Sequence, residues 1–232
     1  MKYLGGKSKS KKIIGDILNK IISDNKIELY WEPMCGGCWV TTEIICQRRI
    51  ASDIHEELIL MWRAFQDGSM DPFKDITEEL YYKTKKGPSS AFRGFVGFCA
   101  SFGGKNWAGL AREKSGKRNY AKEGYNSILK KIKRLKDVEF KYGSYNSFSY
   151  PMDCLIYCDP PYQGYTEYNG TPKFDHNKFW DWCRKISKTC KIIISEYNAP
   201  QDFKEIYSFH TKTDLSSKNN TKLHRLEKLF TC

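Results

Sequence analysis

Residues 27–53 define the architecture more tightly than any other stretch of the chain. Ile27-Glu-Leu-Tyr-Trp31 is a short apolar run of strand length, and the Glu32-Pro-Met-Cys-Gly-Gly-Cys38 that follows is a glycine turn. Trp39-Val-Thr-Thr-Glu-Ile-Ile-Cys46 reads as a helix able to pack on a sheet, and Arg49-Ile-Ala-Ser52 as a second strand closed by Asp53. Strand, glycine turn, helix, strand and acid form the opening unit of a doubly wound α/β sheet. In that fold a nucleoside-shaped ligand lies over the strand ends, and an acid about 20 residues beyond the glycines takes ribose hydroxyls. From Gly36, beside Gly37, to Asp53 the separation is close to that.

The flanking pattern agrees at both ends. Ile13, Ile14, Ile17, Leu18, Ile21 and Ile22 recur on one helical face, predicting an amphipathic helix from about Ser8 to Ser23. A helix through Leu58 to Phe65 follows Asp53, and strands return at Val138–Tyr142 and Asp153–Cys158. Between about Gln66 and Arg134 the alternation lapses, and the amphipathic stretch Tyr125–Leu135 leads back to it. The expected fold is α/β: a doubly wound sheet with a small, mostly helical insertion at residues 66–134.

Asp159-Pro-Pro-Tyr162 ends the strand at Cys158. Two prolines stop a ladder and stiffen the backbone, so one carboxylate, one carbonyl and one ring are held in fixed relation at the sheet edge. An exocyclic amine on a nucleobase has two hydrogens to place. The Asp159 carboxylate and the Pro160 carbonyl can accept them, directing the nitrogen lone pair at an electrophile while Tyr162 stacks on the base. The plain alternative is a turn ending a strand, with Asp as a local cap and Tyr as packing.

Charge narrows the partner. Lys and Arg number 39 against 27 Asp and Glu, a formal net charge of +12, which favours an acidic partner, nucleic acid ahead of a membrane surface. Within the middle region, rings and cations interleave in Phe92-Arg-Gly-Phe-Val-Gly-Phe98 and Ser101-Phe-Gly-Gly-Lys-Asn-Trp107, and a basic run follows. Arg93, Lys105, Arg112, Lys114, Lys117 and Arg118 are the candidate phosphate contacts, against the alternative of helix core beside a solvated loop. No apolar run approaches the roughly 20 residues a bilayer requires and no apolar signal core opens the chain, so a soluble, intracellular protein is expected. The nine cysteines are an odd count without a second Cys-x-x-Cys to complete Cys35-Gly-Gly-Cys38, which favours buried thiols over disulfides or zinc. Gly6-Lys7-Ser8 has the end of a P-loop, but the glycine such a loop needs five positions earlier is Met1.

Four motifs in order then carry a resemblance: Lys2-Tyr-Leu-Gly-Gly-Lys7, Glu32-Pro-Met-Cys-Gly-Gly-Cys38, Asp53 and Asp159-Pro-Pro-Tyr162. The chain resembles the Dam-like, D12 class adenine-N6 DNA methyltransferases, including phage forms. The resemblance implies a Rossmann-like methyltransferase sheet, with residues 1–65 and 135–232 as a discontinuous catalytic domain and 66–134 as the target-recognition region. It implies transfer of a methyl group from S-adenosyl-L-methionine to adenine N6, with the base flipped out of double-stranded DNA. By this resemblance Tyr3, Lys7, Glu32, Gly36, Gly37, Asp53, Ser144 and Asp159 contact the cofactor, and Asp159, Pro160, Pro161 and Tyr162 receive the base. Met34 stands where Phe is usual, Cys38 where a third glycine is common, and Gly143-Ser144-Tyr145 where an Asp is usual. No metal is implied, and a cytoplasmic monomer in a bacterial or phage-infected cell is expected. The alternatives are a methyltransferase acting on another amine, such as cytosine N4, RNA or a protein amide, and a non-catalytic DNA-binding protein on the same fold.

Overall fold

The computed structural model describes residues 1–71, 73–113, 116–163, 173–213 and 223–232. Helix α1 (Lys11–Asp24) precedes β1 (Leu29–Glu32), β2 (Arg48–Asp53) and α2 (Glu56–Asp67). Three helices follow, α3 (Glu78–Lys86), α4 (Ala91–Cys99) and α5 (Tyr120–Ile132), before β3 (Val138–Tyr142) and β4 (Leu155–Cys158). Helix α6 (His176–Ile186) leads to β5 (Lys191–Glu196), β6 (Lys204–Thr213) and β7 (Leu223–Thr231).

The strands form one sheet in the order β3-β2-β1-β4-β5-β7-β6. Neighbours from β3 to β5 are parallel, and β7 runs antiparallel between β5 and β6. Strand order reverses between β1 and β4, which opens a crevice over their carboxyl ends. This is the doubly wound, Rossmann-like α/β fold expected from the glycine-turn unit.

Apolar periodicity decides which helix covers which face. Ile14, Leu18 and Ile22 of α1 pack on Tyr30, Leu155, Tyr157 and Ile193. Phe179, Trp180 and Cys183 of α6 pack on the alternate residues Trp31, Ile156, Ile192 and Ile194, so the two helices cover opposite faces. Each such aliphatic side chain contributes about 1.5–3 kcal/mol by leaving water. Helices α2, α4 and α5 share a third core with Ala51, Val138 and Phe140. Helices α4 and α5 are capped by Ser90 and Asn119, whose side chains accept from the N–H groups of Arg93 and Lys122. Seven cysteines are buried, Cys46 is partly buried and Cys232 is exposed; all are free thiols.

One expected element is absent. Trp39–Cys46 forms only a single 3₁₀ turn, Thr41–Glu43, where the sequence suggested a helix. Val40, Thr41, Thr42, Ile44 and Ile45 are β-branched and disfavour an extended helix. Backbone groups that a helix would pair internally are taken by α1 instead: Asn19 Nδ2 donates to Glu43 O at 2.9 Å, and Ile45 N–H donates to Asn19 Oδ1 at 2.8 Å. Helix α1 covers the face that a crossover helix would have covered, with Ile14 and Leu18 against Val40 and Ile44.

Candidate active site

Each parallel strand from β2 to β5 delivers an acid at or just past its carboxyl end. Glu32 closes β1, Asp53 closes β2, Asp159 follows β4 and Glu196 closes β5. Glu32, Asp53 and Asp159 line one cleft of about 1010 Å³, its open mouth included, together with Tyr3, Gly36, Gly37, His55 and Ser144. The sequence-predicted cofactor residues are therefore brought together around a single space, with Lys7 and Pro161 in its wall.

The glycine turn is held from three sides. Gly36 N–H donates to Asp53 Oδ2 at 2.9 Å, Trp62 Nε1 of α2 donates to Gly36 O at 3.0 Å, and Lys131 Nζ of α5 donates to Gly37 O. Gly36 has φ +44°, and a Cβ there would stand 2.6 Å from the Tyr3 ring, so the position requires glycine twice over. Tyr3 is fixed in turn by stacking on Phe98, with centroids 5.6 Å apart. Cys38 also lies in the left-handed region, φ +51°, where a non-glycine residue costs about 1–2 kcal/mol. The glycine common at this position in the family would carry no such strain.

Burial sets the ionisation of the acids. Glu32 is pushed up to about 8 by burial, against the opposing donors Thr41 and Tyr30; the Thr41 N–H and hydroxyl and the Tyr30 hydroxyl all donate to its Oε2. Asp53 is raised by burial although its Oδ1 accepts from His55 N–H at 3.0 Å. Glu196 is raised to about 7, again by burial.

In the same cleft wall, Lys7 Nζ lies 2.5 Å from Asp159 Oδ1, 3.2 Å from Glu227 Oε1 and 4.7 Å from the Tyr162 ring centre. Tyr162 donates its hydroxyl to Glu227 Oε1 at 2.6 Å and meets Tyr197 edge-on at 4.7 Å. Asp159 is pushed up to about 6 by burial, with Lys7 opposing and Glu227 adding to the rise. Pro160 is buried.

Glu196, Glu227, Trp62 and Lys131 were not singled out from the sequence. Lys131 occupies the last turn of a helix rich in lysine and carries no local mark of burial. In the fold its ammonium lies 3.2 Å from the centre of the Trp39 ring, and burial lowers its pKa to about 7.

The candidate DNA contacts divide. Arg93 is a cross-link inside the fold: it pairs with Glu57 of α2, donates to Lys85 O at 2.9 Å and lies over Trp107 at 5.2 Å. A helix-to-helix ion pair thus engages this candidate phosphate contact within the fold. Phe95 and Phe98 are likewise buried in the core, so the rings of that stretch serve packing. Arg112 is exposed and pairs with Glu78 at 2.5 Å; Arg118 forks onto Glu123 at 2.8 and 2.7 Å. Lys117 is exposed, Lys105 is partly buried, and Lys114 lies outside the described residues.

Phe102, 71% exposed, stands on the 3₁₀ turn Phe102–Gly104. That turn is tied to the amino-terminal motif: Leu4 N–H donates to Gly104 O at 3.3 Å, and a Cβ on Gly104, φ +71°, would meet the Lys2 backbone at 2.6 Å.

A doubly wound sheet with acids at successive strand ends and a pinned glycine turn defines a nucleoside-binding α/β protein. The D12 class N6 adenine-specific DNA methyltransferase family matches residues 3–93 and 91–230, and the chain belongs to that family. A curated relative, the type II methyltransferase M.CviBI of Paramecium bursaria Chlorella virus NC1A, is 22% identical over 250 residues, covering 97% of this chain and 92% of the relative. Among solved structures, precorrin 8W decarboxylase of Methanobacterium thermoautotrophicum is 10% identical with a TM-score of 0.39, covering 94% of this chain and 89% of that one. The methyl donor is S-adenosyl-L-methionine. The cleft suits it: carboxylates for hydroxyl and ammonium groups, a glycine backbone for close approach, and apolar walls from Pro33, Met34, Val40 and Phe174.

No helix among the described residues is long and apolar enough to cross a membrane.

Proposed function

We propose that this protein methylates N6 of adenine in double-stranded DNA, receiving the flipped base at Asp159-Pro-Pro-Tyr162. The observation that carries the reading is the shared cleft, lined by Asp53, by Gly36 and Gly37 of the pinned turn, and by Asp159. Asp53 accepts ribose hydroxyls, Ser144 hydrogen-bonds the cofactor's base, and Gly36, Gly37 and Glu32 hold the methionine end, with Tyr3 walling the cleft. S-adenosylmethionine supplies an already electrophilic methyl carbon, so the protein's task is alignment.

Asp159 and the Pro160 carbonyl accept the two N6 hydrogens and aim the lone pair along the cleft. As N6 forms its new bond it gains positive charge, which a carboxylate opposite it stabilises. Asp159 is charged above about pH 6. The Phe102 turn, with Lys105, Arg112, Lys117 and Arg118, faces DNA and offsets part of the cost of unstacking the base.

The deciding experiment is sequencing of genomic DNA for modified adenine in cells expressing the protein or its Asp159→Ala variant. N6-methyladenine in a fixed sequence context, absent with the variant, is the expected result. Modified cytosine, or modified adenine with both proteins, would refute the assignment. Purified Asp159→Ala should still unfold cooperatively and be stabilised by S-adenosylmethionine.

A further inference from the structure

Asp159 bears a negative charge that Lys7, 2.5 Å away, would cancel if the two formed an isolated pair. A neutral pair offers little field to a nitrogen that becomes cationic during methyl transfer. The structure places a second carboxylate on the same lysine. Glu227, from the antiparallel strand β7, lies 3.2 Å from Lys7 Nζ, and its side chain is only 6% exposed. The same oxygen, Oε1, accepts the Tyr162 hydroxyl at 2.6 Å.

We propose that Glu227 is a positioning residue for methyl transfer: it shares the Lys7 charge, leaves the Asp159 site net negative, and anchors the ring of Tyr162. The proposal rests on the adenine-methylating reading above. In the step it serves, the N6 lone pair forms the N–CH₃ bond and the C–S electron pair goes to sulfur. N6 is positive until one of its protons leaves to water. Two carboxylates around one ammonium carry a net charge of one sign opposite to that developing at N6, in a site with little water to screen it.

Several other groups bear on Asp159. Lys7 reaches it from the amino-terminal segment, Glu32 from the end of β1, Tyr157 from β4, Tyr162 from the motif itself and Glu196 from β5. Glu227 touches both Lys7 and Tyr162 and reaches them from a strand outside the motif. Its like charge adds to the upward shift of Asp159, so removing that charge moves the acid limb of the pH–rate profile to lower pH.

The test is Glu227→Gln, which keeps an acceptor for Tyr162 and removes the charge, with Glu227→Asp as the conservative comparison. Folding of each is checked by thermal unfolding with and without S-adenosylmethionine. The expected result for Glu227→Gln is a fall in kcat of about 10- to 100-fold, with KM for cofactor and DNA within about threefold and an acid limb displaced to lower pH. Glu227→Asp should recover part of the kcat. A kcat within twofold of wild type, or a loss of activity with an unmoved acid limb, would overturn the proposal. The two readings fail separately: a wild-type protein that does not methylate adenine defeats the function, whereas an active wild type, an inactive Asp159→Ala and a normal Glu227→Gln defeat only the role of Glu227.

Discussion

Two pairs of adjacent glycines, Gly36-Gly37 and Gly103-Gly104, sit in loops near the cleft, and the fold treats them differently. The first pair is tied down from β2, α2 and α5 by Asp53, Trp62 and Lys131. The second is fastened to the backbone of Lys2 and Leu4 and, through the Phe102 N–H on Gly109 O, to the loop that follows, and displays Phe102 to solvent. A small ligand whose reactive atom must be aligned calls for a fixed first shell; a long, deformable polymer calls for a ring and cations on a loop with room to adjust. Both loops meet residues 2–4, so each is placed relative to the other.

The comparison breaks most sharply at the pinned turn. Gly36→Val puts a branched side chain against the Tyr3 ring at positive φ. It should abolish the thermal shift given by S-adenosylmethionine and lower stability by about 2–3 kcal/mol, measured by urea unfolding. Trp62→Phe removes one buried hydrogen bond to Gly36 and should cost about 1–3 kcal/mol; titration calorimetry should show weakened cofactor binding. At the other loop, Gly104→Val should raise KM for DNA about tenfold, roughly 1.4 kcal/mol, and weaken calorimetric cofactor affinity less than Gly36→Val does, through the displaced backbone of Lys2 and Tyr3. Phe102→Ala should weaken DNA binding by about 1–3 kcal/mol with an unchanged melting temperature, read by fluorescence anisotropy. Equal effects of the Gly36 and Gly104 variants on both ligands would erase the distinction. The smallest effect belongs to neutralising Arg112, Lys114, Lys117 and Arg118 together. Arg112 and Arg118 are partly engaged by Glu78 and Glu123, so the log–log salt slope should fall by fewer than the roughly four counterions of unpaired cations.

A pH series sharpens the same contrast. Asp159 is raised to about 6 and ionises as pH rises through that value. With the carboxylate as the working form, kcat/KM should fall below about pH 6. DNA association through the loop and its cations should not share that limb, because it does not use the Asp159 carboxylate.

Much of the sheet was legible because its parallel half is written in local units. Strand, turn and acid follow one another at Glu32, Asp53 and Asp159, and each acid needs only its own strand to reach the crevice. The missing pieces depend on contacts distant in sequence. The Trp39–Cys46 helix was overruled by Asn19, which captures backbone groups from another helix. Arg93 looked like a surface cation until α4 packed on α2 and set Glu57 beside it. Lys131 resembles its solvated neighbour Lys130, and the difference appears only when the Trp39 ring and Gly37 carbonyl close over it. Glu227 lies on a strand whose partner is chosen by insertion between β5 and β6, which no local periodicity specifies.

That insertion has a kinetic consequence. Lys7 and Glu227 come from opposite ends of the sequence, so their contact closes one of the longest loops in the chain. On the contact-order argument it is among the last to form. Refolding should regain the cofactor turn, built largely from residues 32–62 and Lys131, before catalytic competence. Stopped-flow refolding should then show S-adenosylmethionine binding ahead of methyl transfer, with the lag set by the pairing of β7.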